Sequence, residues 1–196
     1  MYVRDAKKRE EVWLLDRIEE MGLDDPAFRS RDYVIAEDEQ DGRKVGFGRI
    51  RIHKGEGDPA CELTAVGTLA SWRRQGVAAH VVERLTEKSR DEGFDDLYAM
   101  TSETSYLRQF GFATIDAADL PANLRPRLEE IRESVDPEAV PMVVAVDEFQ
   151  MPRRLRERFK DAGEQAEEDA EPEERPEDFG IDPNSATYKY DTGRRR

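Results

Sequence analysis

Cysteine is almost missing from this chain: Cys61 stands alone among 196 residues, which excludes an internal disulfide and any metal cluster built on Cys ligands. Set in an apolar strand pattern, Cys61 reads as a small buried hydrophobe rather than a nucleophile. The only two histidines, His53 and His80, lack metal-ligand spacing, so no metal is expected. Long apolar runs are absent too, and the opening MYVRDAKKREE has no signal-peptide core; the expectation is a soluble, cytoplasmic chain with no membrane partner. Basic residues are scarce, 31 Lys and Arg against 45 Asp and Glu, giving a net charge of -14. Only short basic patches remain to offset phosphate repulsion, which argues against general nucleic-acid binding. Arginine greatly outnumbers lysine and the acids are spread along the whole chain. That pattern fits a salt-rich, halophile-like cytoplasm, where repulsion between surface carboxylates is screened, or else an ordinary acidic protein.

What is present reads as one domain with an appendage. Tyr2 and Val3 can start a short strand, and Val12, Leu15 and Ile18 recur at helical spacing before Gly22. Residues 32–36 and 44–53 read as a hairpin about the turn Asp41-Gly42. Residues 62–69 form a further strand, and Val77, Val81, Val82 and Leu85 mark one face of a helix that ends at Gly93. A strand at 97–101 completes a strand-helix-strand unit whose two strands run parallel or splay apart. A short helix at 103–110, a strand at 112–115, a helix within 120–134 and the apolar strand 140–146 follow. The folded domain is thus expected over residues 1–150. Residues 151–182 read as a charged, mostly acidic, disordered linker, and residues 183–196 as a C-terminal tail.

The chemistry is concentrated where the strand 62–69 turns into its helix, in Trp72-Arg73-Arg74-Gln75-Gly76-Val77-Ala78-Ala79. Gly76 and Ala78 leave the backbone uncovered at the helix start, so unpaired N–H groups and the positive end of the helix dipole can face one anion. The chain has neither the lysine motif of a P-loop nor the triple glycine of a dinucleotide-binding fold.

Arg73, Gly76 and Ala78 match the pyrophosphate signature of the GNAT superfamily of acetyl-CoA-dependent N-acetyltransferases, which the chain resembles from Val3 to Val146. A second signature, Gln109-Phe110-Gly111-Phe112, stands at the family's helix-to-strand Gly-Phe step. Within the superfamily the chain is similar to the acetyltransferase domain of N-acetylglutamate synthases. That likeness is carried by Glu62-Leu63, Met100-Thr101, Gly111-Phe112, Ile115-Asp116 and Asp119-Leu120-Pro121, without the amino-acid-kinase domain many such synthases carry.

The resemblance implies an α/β GNAT fold: a mixed, twisted sheet of about six to seven strands flanked by helices, with splayed parallel strands four and five. It implies acetyl-CoA as co-substrate, its pantetheine arm paired with Val66, Gly67 and Thr68 and its pyrophosphate held at Arg73, Arg74, Gln75, Gly76, Val77, Ala78 and Ala79. Glu62, where family members carry a carboxylate, is the candidate general base, or else a strand-end glutamate facing solvent. By alternation it shares a face with Thr64, Val66 and Thr68. The family's proton-donating tyrosine falls at Leu107 here, and the tyrosine is one residue earlier, Tyr106. One residue on a helix is about a 100° rotation, so either Tyr106 donates from a shifted helix or water does. Arg49 and Arg51 share a strand face and either bind a substrate carboxylate or form a solvated face paired with acids. The function implied is N-acetylation of the primary amine of a small molecule, an amino acid among the candidates. A protein or peptide N-acetyltransferase, or a non-catalytic acetyl-CoA-binding module, stands as the alternative. A homodimer is left open.

Overall fold

The structure, a computed structural model, describes residues 1–23, 25–55 and 57–162. Short β-branched stretches and helical stretches follow one another and assemble a seven-stranded sheet. Strand β1 (Tyr2–Asp5) is followed by helix α1 (Glu11–Glu20), then by β2 (Tyr33–Glu37), β3 (Lys44–His53) and β4 (Ala60–Thr68). Helix α2 (Val77–Asp91) leads to β5 (Asp96–Thr101), α3 (Thr104–Arg108) and β6 (Ala113–Thr114), and then come α4 (Arg125–Ser134), β7 (Val140–Ala145) and α5 (Arg153–Lys160). The order across the sheet is β1-β2-β3-β4-β5-β7-β6, antiparallel throughout except that β4 and β5 run parallel. Parallel neighbours need a crossover, and α2 supplies it.

Each face of the sheet is covered by an apolar stripe. Val81, Val82 and Leu85 of α2 pack on Ile50, Cys61, Leu63 and Leu97, while Leu14 and Ile18 of α1 cover Tyr33, Ile35 and Phe47. A third cluster forms where Leu124, Leu128 and Ile131 of α4 meet Leu120 and Ala139. Helix α2 lies close on β3 because Gly48 carries no side chain: a Cβ there would come within 2.7 Å of Val81 Cγ1 and 2.9 Å of Leu85 Cδ1.

Three expectations need correction. The hairpin turn is wider than Asp41-Gly42 alone, because Asp38 N–H still bonds the Arg43 carbonyl (2.8 Å) and Gly42 N–H reaches back to Asp38 (2.9 Å). Alternation along β4 does not persist to its end: Phe47 faces Gly67 but Arg49 faces Thr64, so β4 holds one extra residue, and Ala65 sits at φ +49. That bulge reverses the facing. Ala65 packs with the α1 cluster while Val66 packs with the α2 cluster, so Val66 and Thr68 do not share the face of Glu62. Finally, the fold continues past residue 150, since α5 buries Leu155 and Phe159 (each 7% exposed) against α2. Its charged composition conceals a two-residue apolar stripe at i,i+4, enough to dock a short helix. Most of the expected linker and all of the tail, residues 163–196, lie outside the described residues.

Candidate active site

The site begins where β4 and β5 part. They pair only over Cys61–Leu97, Glu62–Tyr98 and Leu63–Ala99, and the bulge at Ala65 turns β4 away immediately beyond. A non-glycine residue at positive φ costs about 1 kcal/mol or more and persists only where its surroundings enforce it. Here it opens the sheet. A cavity of about 490 Å3 fills the gap and passes through the sheet. On one side it meets Ala78 and Val82 of α2 and Tyr106 of α3, and on the other Leu23, Arg127, Ile131 and Val135. Thr64, Ala65 and Val66 form its floor along β4.

A second depression, about 530 Å3, adjoins the first at Ala78, Glu103 and Tyr106 and contains the helix start. Arg73, Arg74, Gly76, Val77 and Ala78 line it together with Thr68 and Trp72. Arg74 (φ +63) and Gly76 (φ +80) both adopt left-handed backbone, which bends the chain sharply into α2. The His80 N–H closes the first helical bond on the Gly76 carbonyl (3.1 Å). The N–H groups of Val77, Ala78 and Ala79 therefore have no acceptor within the helix and mark its positive end. Two side chains of the sequence motif belong to the frame: buried Gln75 donates Nε2 to the Ser71 carbonyl (3.0 Å), and the Ala79 methyl is fully buried in the core. Phe47 and Met21 cover the face of Gly67 on which a side chain would stand.

Tyr106 lines both cavities, its ring edge-on to Phe110. Burial pushes its phenol up to about 12, so it is protonated throughout the neutral range. Leu107, one position on, is buried and also reaches the first cavity. The short α3 thus presents both positions at the cleft.

Glu62 is 1% exposed and is not on the cavity wall. His53 Nε2 lies 2.6 Å from its Oε2, and Arg127 Nε donates to its Oε1 at 3.3 Å. Arg127, 4% exposed, also donates to Glu130 (2.9 Å) and does line the cavity. Glu62, the candidate base of the sequence reading, thus stands one layer behind the cavity wall, holding an arginine. Sequence reasoning did not single out Arg127, yet a signal exists: it lies three residues after Leu124 and four before Ile131, an arginine beside the apolar stripe of its helix.

Arg49 and Arg51 are not brought to the cleft. Arg49 is 2% exposed, ion-paired to Asp25 and to Asp32 (3.6 Å), and donates to the Ala27 carbonyl (3.0 Å). With Arg51 it lines a separate basic depression beside Arg29, Arg31, Lys54 and Lys88. Alternation predicted their common face correctly; the loop after α1 decided what covers it. Among the described residues no group of His, Cys, Asp and Glu could hold a metal ion, and no helix is long and apolar enough to cross a membrane.

A model of the acetyltransferase (GNAT) family matches residues 2–112, more than half of the chain. The chain belongs to the GNAT family. GNAT proteins are acetyltransferases, and both the helix start and the parted strands lie within the residues that the family model matches. No curated protein matches the chain. Among solved structures it is similar to N-acetylglutamate synthase from Neisseria gonorrhoeae complexed with coenzyme A and N-acetyl-glutamate. The identity is 19%, with 74% of this chain and 34% of that chain covered and a TM-score of 0.59. Rv2747 from Mycobacterium tuberculosis, in complex with CoA, is 15% identical over 74% of this chain and 99% of its own, with a TM-score of 0.62. A chain of the NatC complex bound to Gag peptide and CoA is 14% identical over 74% and 99%, at TM-score 0.52. At these identities the likeness is one of GNAT fold, and the chain spans about a third of the Neisseria enzyme's length.

Proposed function

We propose that this GNAT protein transfers acetyl from acetyl-CoA to the amine of a small acceptor bearing a carboxylate, an amino acid being the simplest case. The observation that carries the proposal is the lid formed by α4. Arg127, Ile131 and Val135 close the acceptor side of the cavity, leaving about 490 Å3, a space suited to a small molecule rather than an extended peptide. A carboxylate entering there meets the Arg127 guanidinium, which already donates to Glu62 and Glu130; the acceptor would take the place of the half-exposed Glu130 and leave the buried pair with Glu62 intact. The Neisseria structure, which holds coenzyme A and N-acetyl-glutamate, accords with this acceptor class.

The remaining residues take parts that follow from their positions. The pyrophosphate sits at Arg73, Arg74 and the N–H groups of α2, and the pantetheine arm runs along Val66 to Thr68 toward the parted strands. The amine nitrogen attacks the thioester carbonyl carbon, the C–S bond breaks, and the departing thiolate takes the Tyr106 proton. The proton lost by the amine passes to water in the cavity. Glu62 acts through Arg127, as a positioning residue.

Thiol release in potassium-rich buffer, with free amino acids, carboxylate-free amines and short peptides as acceptors, tests the proposal. Amino acids are expected to give the highest kcat/KM. Equal rates with carboxylate-free amines, or higher rates with peptides, would overturn it.

A further inference from the structure

Helix α5 lies beyond the residues that the family model matches, yet it forms one wall of the depression at the start of α2. Its apolar side docks there tightly. The Leu155 carbonyl oxygen occupies the space that a Cβ on Gly76 would need, and Phe159 stacks on His80 with ring centroids 3.8 Å apart. The helix carries four arginines with distinct surroundings. Arg156 is paired with Glu83 on α2, and Arg153, 91% exposed, pairs with Glu157 along α5 itself (2.8 Å). Arg154 and Arg158, one turn apart and so on one face, line the depression together with Arg73 and Arg74. Arg154 Nη2 donates to Gln109 Oε1 (2.7 Å) and Arg158 Nη1 to the Arg74 carbonyl (3.4 Å). Neither forms an ion pair with a carboxylate among the described residues.

Four guanidiniums thus surround one depression, with Glu103 its only lining carboxylate among the described residues, in a chain of net charge -14. That exceeds what a pyrophosphate at a helix start requires, because backbone N–H groups and the helix dipole already meet much of its charge. Coenzyme A carries a second anion, the 3′-phosphomonoester of its ribose, and a phosphomonoester holds about -1.5 to -2 charges at neutral pH. Arginine pairs set one helical turn apart suit such a group. We infer that α5 adds a second phosphate site to the cradle, in which Arg154 and Arg158 bind the 3′-phosphate of the co-substrate and make the protein select coenzyme A over its 3′-dephospho form.

The inference rests on acetyl-CoA binding, and the test separates the two. Dissociation constants for acetyl-CoA and 3′-dephospho-acetyl-CoA are measured by calorimetry at one fixed salt concentration, for the wild type, R154Q/R158Q, and R153Q as a control outside the depression. The wild type and R153Q are expected to favour acetyl-CoA by about tenfold or more, the size of a charged hydrogen bond or two. The double variant is expected to bring the two ligands within about twofold while its affinity for the dephospho form stays unchanged. A double variant that retains the full preference, or that loses both ligands equally, overturns the 3′-phosphate site. Failure of the wild type to bind either ligand would instead overturn the co-substrate assignment.

Discussion

Replacing Glu62 with Gln separates two roles that the same carboxylate could play. The side chain is 1% exposed and holds Arg127, itself 4% exposed, at 3.3 Å, with His53 at 2.6 Å on its other oxygen. Gln keeps the shape but removes the charge and sets an N–H2 against one of these two donors. Breaking a buried ion pair by neutralising one partner costs about 3–5 kcal/mol. The half-exposed Glu130 still pairs with Arg127 at 2.9 Å and offsets part of this, so a net loss of about 2–4 kcal/mol is expected. For a chain of this length that is a fall in Tm of roughly 4–16 °C. Activity distinguishes positioning from base catalysis. With Arg127 loosened, KM for acceptors bearing a carboxylate should rise, while acceptors without one should be affected much less. Loss of a general base would instead lower kcat by about 10²–10⁴ for every amine, whatever else it carries. Steady-state kinetics with both acceptor classes, alongside thermal melts, decide the matter. A variant that melts like the wild type, keeps its KM and loses kcat uniformly would refute the positioning role and restore Glu62 as the base.

Tyr106→Phe should lower kcat by about 10²–10⁴ while leaving the acetyl-CoA dissociation constant within about twofold; unchanged kcat would assign proton donation to water. Because burial holds the phenol up at about 12, the wild-type rate should show no alkaline fall from Tyr106 below about pH 10, the ordinary tyrosine value. Gly76→Ala puts a residue with a Cβ at φ +80, which costs about 1–2 kcal/mol, and drives that Cβ into a backbone oxygen of α5. The helix must lift, so trypsin should cut within 153–158 faster than in the wild type, and an unchanged digestion pattern would contradict the docking. At the sheet edge, the Arg4 guanidinium (2.6 and 2.8 Å) and then the Lys7 N–H hold Glu10 down at about 2 from an ordinary 4.5. A carboxyl depressed by folding contributes stability that is present above its unfolded pKa and is lost as the pH falls from about 4.5 to about 2. The Tm difference between wild type and Arg4→Ala should therefore shrink across that interval, and a constant difference would show the pair to be inert.

Much of this molecule is legible in its sequence alone, because the signals are local. A period-2 pattern over 44–53 and 62–69, a 3.6 period over Val77 to Leu85, and glycines at 76, 93 and 111 depend on neighbours within one turn, and the sheet, the crossover and the helix start all follow from them. Arg73, Arg74, Gly76, Val77 and Ala78 line one depression at the start of α2 for the same reason, since consecutive residues at a helix start share one small region of space. What tertiary structure alone decided were the pairings across distance. The bulge at Ala65 arises from the register of β4 against β3, and it sent Val66 to the opposite face from Glu62. The loop after α1 supplied Asp25 as the partner of Arg49, while α4, 65 residues along the chain from Glu62, supplied Arg127 as the partner of that carboxylate. Helix α5 reads as solvated charge because its two apolar residues gain meaning only against Gly76 and His80. Periodicity states which residues share a face; which partner covers that face is set by packing between segments far apart in the chain, and here packing chose which charges line the cavity.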